Sequence, residues 1–307
     1  MAATFPRIGV THLARIQLLL GALLFSTGGV AIKLSTLSGW QVAGLRAAVG
    51  ALVMLLFLPA ARRGWSLRTC LVAIPYAATF ILYTLANKET TAANAIFLQD
   101  TAPLYLLLLS PLLLRESIER WDVVLLCALA GGAWLLFVST PEPLATAPRP
   151  GLGNVLALAA GVTWALSLLG LRWIAVRSKT SGKEPLAVIV AGCMLAFAAA
   201  AIAVFPALLY PVAEWQTPNW VIILYLGTFQ IGLAYVFVTR AMRRVSALEA
   251  SLLVLTEPVF VPLWAWLVLA EKPSVLSLVG GAIIVAAAAA NTWLRGVSSA
   301  AHENREC

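Results

Sequence analysis

Two stretches decide how this chain is read: AANAIFLQDTAPLYLLLLSPLLLRE, residues 92–116, and ALEASLLVLTEPVFVPLWAWLVLAE, residues 247–271. Laid over each other at an offset of 155, they align Ala92 with Ala247, Thr101-Ala102-Pro103 with Thr256-Glu257-Pro258, and Glu116 with Glu271. Ala86 falls on Ala241 at the same offset. Each stretch is long and apolar enough to cross a bilayer as a helix, which takes about 20 residues. A second offset, 139, sets Phe25 on Trp164 and Lys33 on Arg172, and the 16-residue difference fits into the longer loops around 177–185 and 210–218. Offsets held across a helix–loop–helix–loop unit point to an internal repeat.

The rest of the chain has the same character. Of 307 residues, 61% are hydrophobic and 11% charged, against roughly 25% charged in soluble proteins. The mean hydropathy is +0.92. So few charges cannot supply the polar shell of a water-soluble fold, and disorder, collagen, a coiled coil and a secreted disulfide scaffold fall on the same arithmetic. Cys70, Cys127, Cys193 and Cys307 show no paired or ligand spacing and read as packing residues. An all-α integral membrane protein is expected.

Ten apolar spans are expected, at about 14–34, 40–59, 68–87, 92–114, 121–139, 152–174, 186–209, 218–239, 246–269 and 275–294. The first is read as a helix and not a cleaved signal, because its apolar core is too long and no A-x-A site follows. Connections such as Arg62-Arg63-Gly64 and Pro148-Arg149-Pro150-Gly151 are too short to hold a soluble domain. With the N-terminus inside, 16 of the 21 basic residues fall in cytoplasmic segments. Lys88, Arg149 and Lys272 lie outside, and Lys33 and Arg46 are placed at helix ends. That split expects both termini in the cytoplasm and explains the net charge of +8 without nucleic acid. A repeat of five spans, being odd, re-enters from the opposite side. The expected architecture is therefore two inverted halves, residues 1–145 and 146–307, around a central cavity at the midplane.

The five-plus-five spans, the Ala-x5-Ala helix starts, a mid-helix proline thirteen residues before Glu116 or Glu271, Leu45-Arg46 in the second span and Gly280-Gly281 in the last resemble the drug/metabolite transporter superfamily, EamA type. The likeness covers essentially the whole chain. Within that superfamily the chain most resembles the amino-acid and metabolite exporters, the aromatic amino-acid branch in particular. The resemblance implies that spans one, three, four, six, eight and nine line the cavity.

Ionisable groups at membrane depth cost free energy and are functional candidates by default. Asp100, near the middle of span four, and Glu257, near the middle of span nine, are the clear cases; each is followed by a kinking proline, Pro103 or Pro258. They bind a cationic group or a proton, or else hold helices together. Glu116 and Glu271, beside Arg115 and Lys272, are assigned structural roles. Gln99 and Gln230 are candidate ligand contacts and Asn94 a helix bridge. Phe25, Trp164, Tyr83 and Tyr235 lie inside helices and suit either an aromatic cavity wall or dry packing. Trp40, Trp65, Trp121, Trp215 and Trp220, with Trp264 and Trp266, are read as an interfacial belt. Gly28-Gly29, Gly131-Gly132 and Gly280-Gly281 permit close helix approach.

An enzyme is disfavoured: the only histidines are His12 and His302 near the termini, and the only aspartates are Asp100 and Asp122. No metal, cofactor or catalytic residue is expected. A channel lacks a charged ring or filter loop. The expected function is a monomeric secondary transporter in the cytoplasmic (inner) membrane, with a small-molecule substrate and the lipid bilayer as its partners. Export of amino acids is preferred, on the resemblance. A multidrug or cationic-compound efflux carrier and a non-transporting membrane partner are the alternatives.

Overall fold

Backbone that must satisfy every N–H and C=O away from water forms helices or a closed barrel, and this chain takes the first route. The computed structural model describes residues 8–114, 120–139, 142–177, 184–208, 217–241, 244, 250 and 253–306. Helices α1 (Ile8–Ser26) and α2 (Gly28–Leu34) make the first span, α3 (Gly39–Phe57) the second and α4 (Leu67–Glu89) the third. The fourth is α5 (Ala92–Gln99) with α6 (Ala102–Leu114), followed by α7 (Arg120–Val138), α8 (Pro150–Arg177) and α9 (Glu184–Leu208). Next come α10 (Thr217–Tyr225), a π-helical segment (Leu226–Leu233) and α11 (Ala234–Ala241), then α12 (Glu257–Leu269) and α13 (Val275–Glu306).

Among the described residues, eight helical spans, counting through the breaks, are long and apolar enough to cross a membrane. The expected ninth and tenth spans are represented by shorter apolar helices, Glu257–Leu269 and Val275–Asn291. Part of the expected ninth span, residues 246–249 and 251–252, lies outside the described residues, as does Glu116.

The spans carrying the candidate carboxylates are interrupted where continuous helices were expected. In span four the Thr101 N–H and hydroxyl both donate to the Leu98 carbonyl, at 3.3 and 2.6 Å. At the start of α12 the Thr256 N–H and hydroxyl both donate to the Leu253 carbonyl, at 3.2 and 2.7 Å. Span one breaks in the same way: Thr27 donates twice to the Leu24 carbonyl, at 3.3 and 2.7 Å. Each break is a Leu-x-x-Thr whose hydroxyl supplies a tight local bond. Such bonding at depth is tolerated where the backbone lines an interior and not lipid. Pro103 and Pro258 lack an N–H to continue the ladder, and Gly28 fills the corresponding stretch of span one. Span six, α8, matches span one in the repeat but runs unbroken.

Helix α4 packs along α8 and α9, α3 along α9 and the π segment, α7 along α13, and α1 along α11. The expected close approach of Gly132 and Gly280 is present. A Cβ built on either would sit 2.8 or 2.7 Å from the other's carbonyl oxygen.

One end of the bundle is closed by polar contacts. Lys33 pairs with Glu271 at 2.9 Å, both side chains almost wholly inaccessible. The Lys33 ammonium also donates to the Thr90 carbonyl at 2.7 Å and to the Thr146 carbonyl. The second Glu271 oxygen accepts the Ala92 N–H at 3.0 Å, at the N-terminus of α5, where a negative charge is favoured. Glu271 is thus structural, as expected, though its partner is Lys33 and not the adjacent Lys272. Arg149 forms a two-pronged bond with Glu89 at 2.8 and 2.5 Å. Asn219 accepts from the Ser35 hydroxyl and the Thr36 N–H, both at 3.0 Å.

Removing one member of a buried pair leaves the other charge without compensation, at a cost of about 3–5 kcal/mol. Lys33→Met and Glu271→Met are therefore each expected to lower the thermal unfolding midpoint of the detergent-solubilised protein sharply. The Lys33→Met/Glu271→Met double variant should lose less than the sum. Additive losses would mean that the two groups are not coupled.

Candidate functional site

Asp100 closes α5 as its C-cap residue, in the bridge region of backbone space (φ −71°, ψ 0°), and Glu257 opens α12. Both sit at helix breaks, which corrects their expected place in the middle of continuous spans. The physical reason is the proline three or one residue later, together with the threonine closing the turn. Helix α12 packs against α5 and α2, which brings the two carboxylates within electrostatic reach of each other. Neither has an ion-pair partner among the described residues. The Asp100 Oδ2 and the neighbouring Gln99 Oε1 are buried acceptors with no hydrogen-bond donor. Helix α8 passes directly behind the break, because Gly161 presents no side chain. A Cβ there would lie 3.0 and 3.1 Å from the Gln99 and Leu98 carbonyl oxygens.

Aromatic side chains form a string across the interior. The Phe25 ring meets Tyr235 edge-on at 5.1 Å. The Tyr235 hydroxyl hydrogen-bonds that of Tyr76, and Tyr76 meets Trp164 edge-on at 5.8 Å. The order is span one, span eight, span three, span six, so the repeat counterparts Phe25 and Trp164 lie on opposite sides of the central hydroxyl pair. Tyr76 also packs on Phe80 at 5.3 Å. Tyr83, one turn further along α4, is buried and interacts electrostatically with Glu257, Asp100 and Arg46.

Arg46 is the main surprise. The sequence placed it at a helix end. Helix α3, however, begins at the capping box of Ser38 and Gln41, which leaves Arg46 two turns inside and 2% exposed. One Nη donates to the Gln230 Oε1 at 3.3 Å, the other to the Phe80 carbonyl at 3.2 Å. The guanidinium carbon sits 5.2 Å from the Phe80 ring centre, a favourable cation–π arrangement. Its Nε has no partner, and no carboxylate pairs with it among the described residues. Gln230 reaches it from the π segment, a helix form that recurs at functional sites. Close contact between α3 and that segment requires Gly227, where a Cβ would lie 2.3 Å from Val49.

Of the eight expected site residues, Phe25, Tyr235 and Trp164 belong to the aromatic string, Gln230 holds Arg46, Gln99, Asp100 and Glu257 stand at helix breaks, and Tyr83 lies within electrostatic reach of both carboxylates. Sequence reasoning missed Arg46, Tyr76 and Phe80. A charge inside the apolar segment 39–57 was the signal for Arg46, and Pro75 in α4 was the nearest one for Tyr76. The tryptophan belt holds in part. Trp65, Trp121, Trp220 and Trp266 are exposed. Trp264 instead turns inward and donates to the Ser26 hydroxyl at 2.9 Å, and Trp215 lies outside the described residues. Asn94 bridges helices as expected, donating to the Asn154 Oδ1 at 3.3 Å.

The sequence profile of the EamA-like transporter family matches residues 12–138 and, a second time, residues 151–293. The chain belongs to that family. No curated protein matches the sequence significantly. A protein of known crystal structure is similar in fold, with a TM-score of 0.58 and 21% identity over 92% of this chain and 96% of its own. A multi-pass EamA-like transporter therefore carries, between its two family repeats, broken helices with carboxylates, a buried arginine and an aromatic string.

The hydroxyl pair at the centre of that string yields a measurable coupling. Tyr76→Phe or Tyr235→Phe alone leaves the remaining buried hydroxyl unpaired, at about 1–3 kcal/mol each. The double variant removes both polar groups and is expected to be markedly less destabilised than the sum, by a double-mutant cycle on thermal unfolding. Strict additivity would show that the hydroxyls do not pair.

Proposed function

We propose that this EamA-like protein is a secondary transporter that exports small organic metabolites, amino acids foremost, across the cytoplasmic membrane by alternating access. One observation carries the reading. Helix breaks in both family repeats bring Asp100 and Glu257 into electrostatic reach of each other, near the aromatic string and without ion-pair partners among the described residues. Broken helices around interior polar groups are how membrane carriers build substrate sites. Carboxylates without partners suit an ammonium group, and Phe25, Tyr83, Trp164 and Tyr235 suit an apolar or aromatic body. Gln99 and Gln230 add hydrogen-bonding capacity beside them.

In this reading the chain crosses the membrane ten times, as inverted halves 1–145 and 146–307, with both termini in the cytoplasm of a monomer. The basic residues favour that orientation. The Lys33–Glu271 end then faces outward, and its polar contacts separate during each cycle.

A panel of labelled amino acids and cationic drugs offered to reconstituted vesicles tests the substrate class. Saturable amino-acid flux is expected. Saturable flux of the drugs alone would replace this reading with that of a cationic-compound efflux carrier, which the carboxylate pair would also serve. The same vesicles with an imposed pH gradient test coupling, since a carboxyl group at a helix break can take up and release a proton. Asp100→Asn should abolish the gradient's effect on flux, and unchanged gradient-driven flux would remove Asp100 from that role.

A further inference from the structure

Buried polar groups are almost always paired inside a protein, so the ones left over describe what is missing. Around the span-four break the unpartnered atoms are acceptors, Gln99 Oε1 and Asp100 Oδ2. Around α3 and α4 the donors are the Nε of Arg46 and the hydroxyl of Tyr83, with one acceptor beside them, the Asn87 Oδ1, which lies one turn along α4 and within reach of that hydroxyl. Those two donors belong to neighbouring side chains that interact electrostatically, and the Arg46 charge has no carboxylate among the described residues to balance it. Tyr76 and Tyr235 add phenol groups around the same guanidinium. Arg46 is held from behind by the Phe80 carbonyl and ring and by Gln230, which fixes the planar group while leaving Nε–H unused. Guanidinium with phenol is a donor set for an oxyanion, because each N–H or O–H is strengthened by a charged acceptor.

We propose that Arg46 and Tyr83 receive the anionic group of the cargo, so that transported molecules are zwitterions, with a carboxylate at Arg46 and an ammonium group toward Asp100. This rests on the transporter reading above and deepens it, by making the arginine the determinant that separates amino acids from simple cationic amines. An amine lacking a carboxylate leaves the Arg46 Nε–H unsatisfied, and sites built around hydrogen-bonding groups reject ligands that leave those groups unpaired.

Three probes test it: phenylalanine, 3-phenylpropionate, which lacks the ammonium group, and 2-phenylethylamine, which lacks the carboxylate. Affinities are measured by titration calorimetry on the purified full chain in detergent, and flux in vesicles. The native protein is expected to bind both carboxylate probes. Arg46→Gln should lower the preference for phenylalanine over phenylethylamine about tenfold or more, the loss of one charge-assisted contact. Arg46→Lys, which keeps the charge without the fork, should lie between. Because Arg46→Gln also unpairs Gln230, Tyr83→Phe is the arm that does not threaten folding. It removes a hydroxyl whose one side-chain neighbour for hydrogen bonding among the described residues is Asn87, and should reduce the same preference severalfold with little change in the unfolding midpoint. Equal loss of affinity for all three probes, or failure of either carboxylate probe to bind the native protein, overturns the inference. The transporter reading fails separately. Arg46-dependent carboxylate binding with no flux of any probe leaves the anion site and removes the carrier. Phenylethylamine flux without carboxylate binding does the reverse.

Discussion

The interior depends on a backbone constraint. A helix interrupted in a membrane must satisfy its freed carbonyls locally, since hydrocarbon offers no donor. Here three interruptions use one device, a threonine whose N–H and hydroxyl both return to the carbonyl three residues back, at Leu24, Leu98 and Leu253. That double bond ends the helix within a single turn. It sets Phe25, Gln99, Asp100 and Glu257 at or beside helix ends, where the backbone is already exposed to the interior. Proline after Thr101 and Thr256 keeps the ladder from reforming. The site is a consequence of where the chain stops being helical.

Charge is distributed by the same logic of local satisfaction. At the end formed by Lys33, Thr90, Thr146 and Glu271 every strong group has a partner, and the Glu271 carboxylate compensates both an ammonium and a helix N-terminus. At the centre the opposite holds: Arg46, Asp100 and Glu257 are ionisable, lie at membrane depth and lack ion-pair partners among the described residues. An unpaired ionisable group there is retained against a cost of several kcal/mol. Packing alone does not account for keeping it, because hydrophobic substitutes of similar volume would fill the same space.

How much of this was legible in the sequence follows from what each feature needs. Hydropathy needs only composition, so most spans were placed within a few residues. The repeat was legible because Thr101-Ala102-Pro103 and Thr256-Glu257-Pro258 combine rare polar and proline positions in apolar surroundings. The breaks themselves were read only as kinks, although Leu-x-x-Thr recurs at all three. Arg46 was misplaced because a charge seven residues into an apolar run can sit at a helix end or inside it. The Ser38–Gln41 capping box, which fixes that register, is a geometric fact. The Tyr76–Tyr235 pair follows neither offset, being 159 residues apart, and Lys33 finds Glu271 across the whole chain while Lys272 stands next to it.

The two repeats share the break of spans four and nine and differ in spans one and six. Span one is interrupted at Thr27 whereas its counterpart, α8, runs unbroken from Pro150 to Arg177 past the span-four break, with Gly161 against the Leu98 and Gln99 carbonyls. Perfectly matched halves would present equivalent surfaces to a ligand from either side. Here one half offers an unbroken helix bearing Trp164, and the other a broken pair, α1 and α2, bearing Phe25, with Gly28 directly against Gln230. The same Gln230 amide accepts from Arg46, so one side chain touches both the span-one break and the central cation, and no separate linking element stands between them.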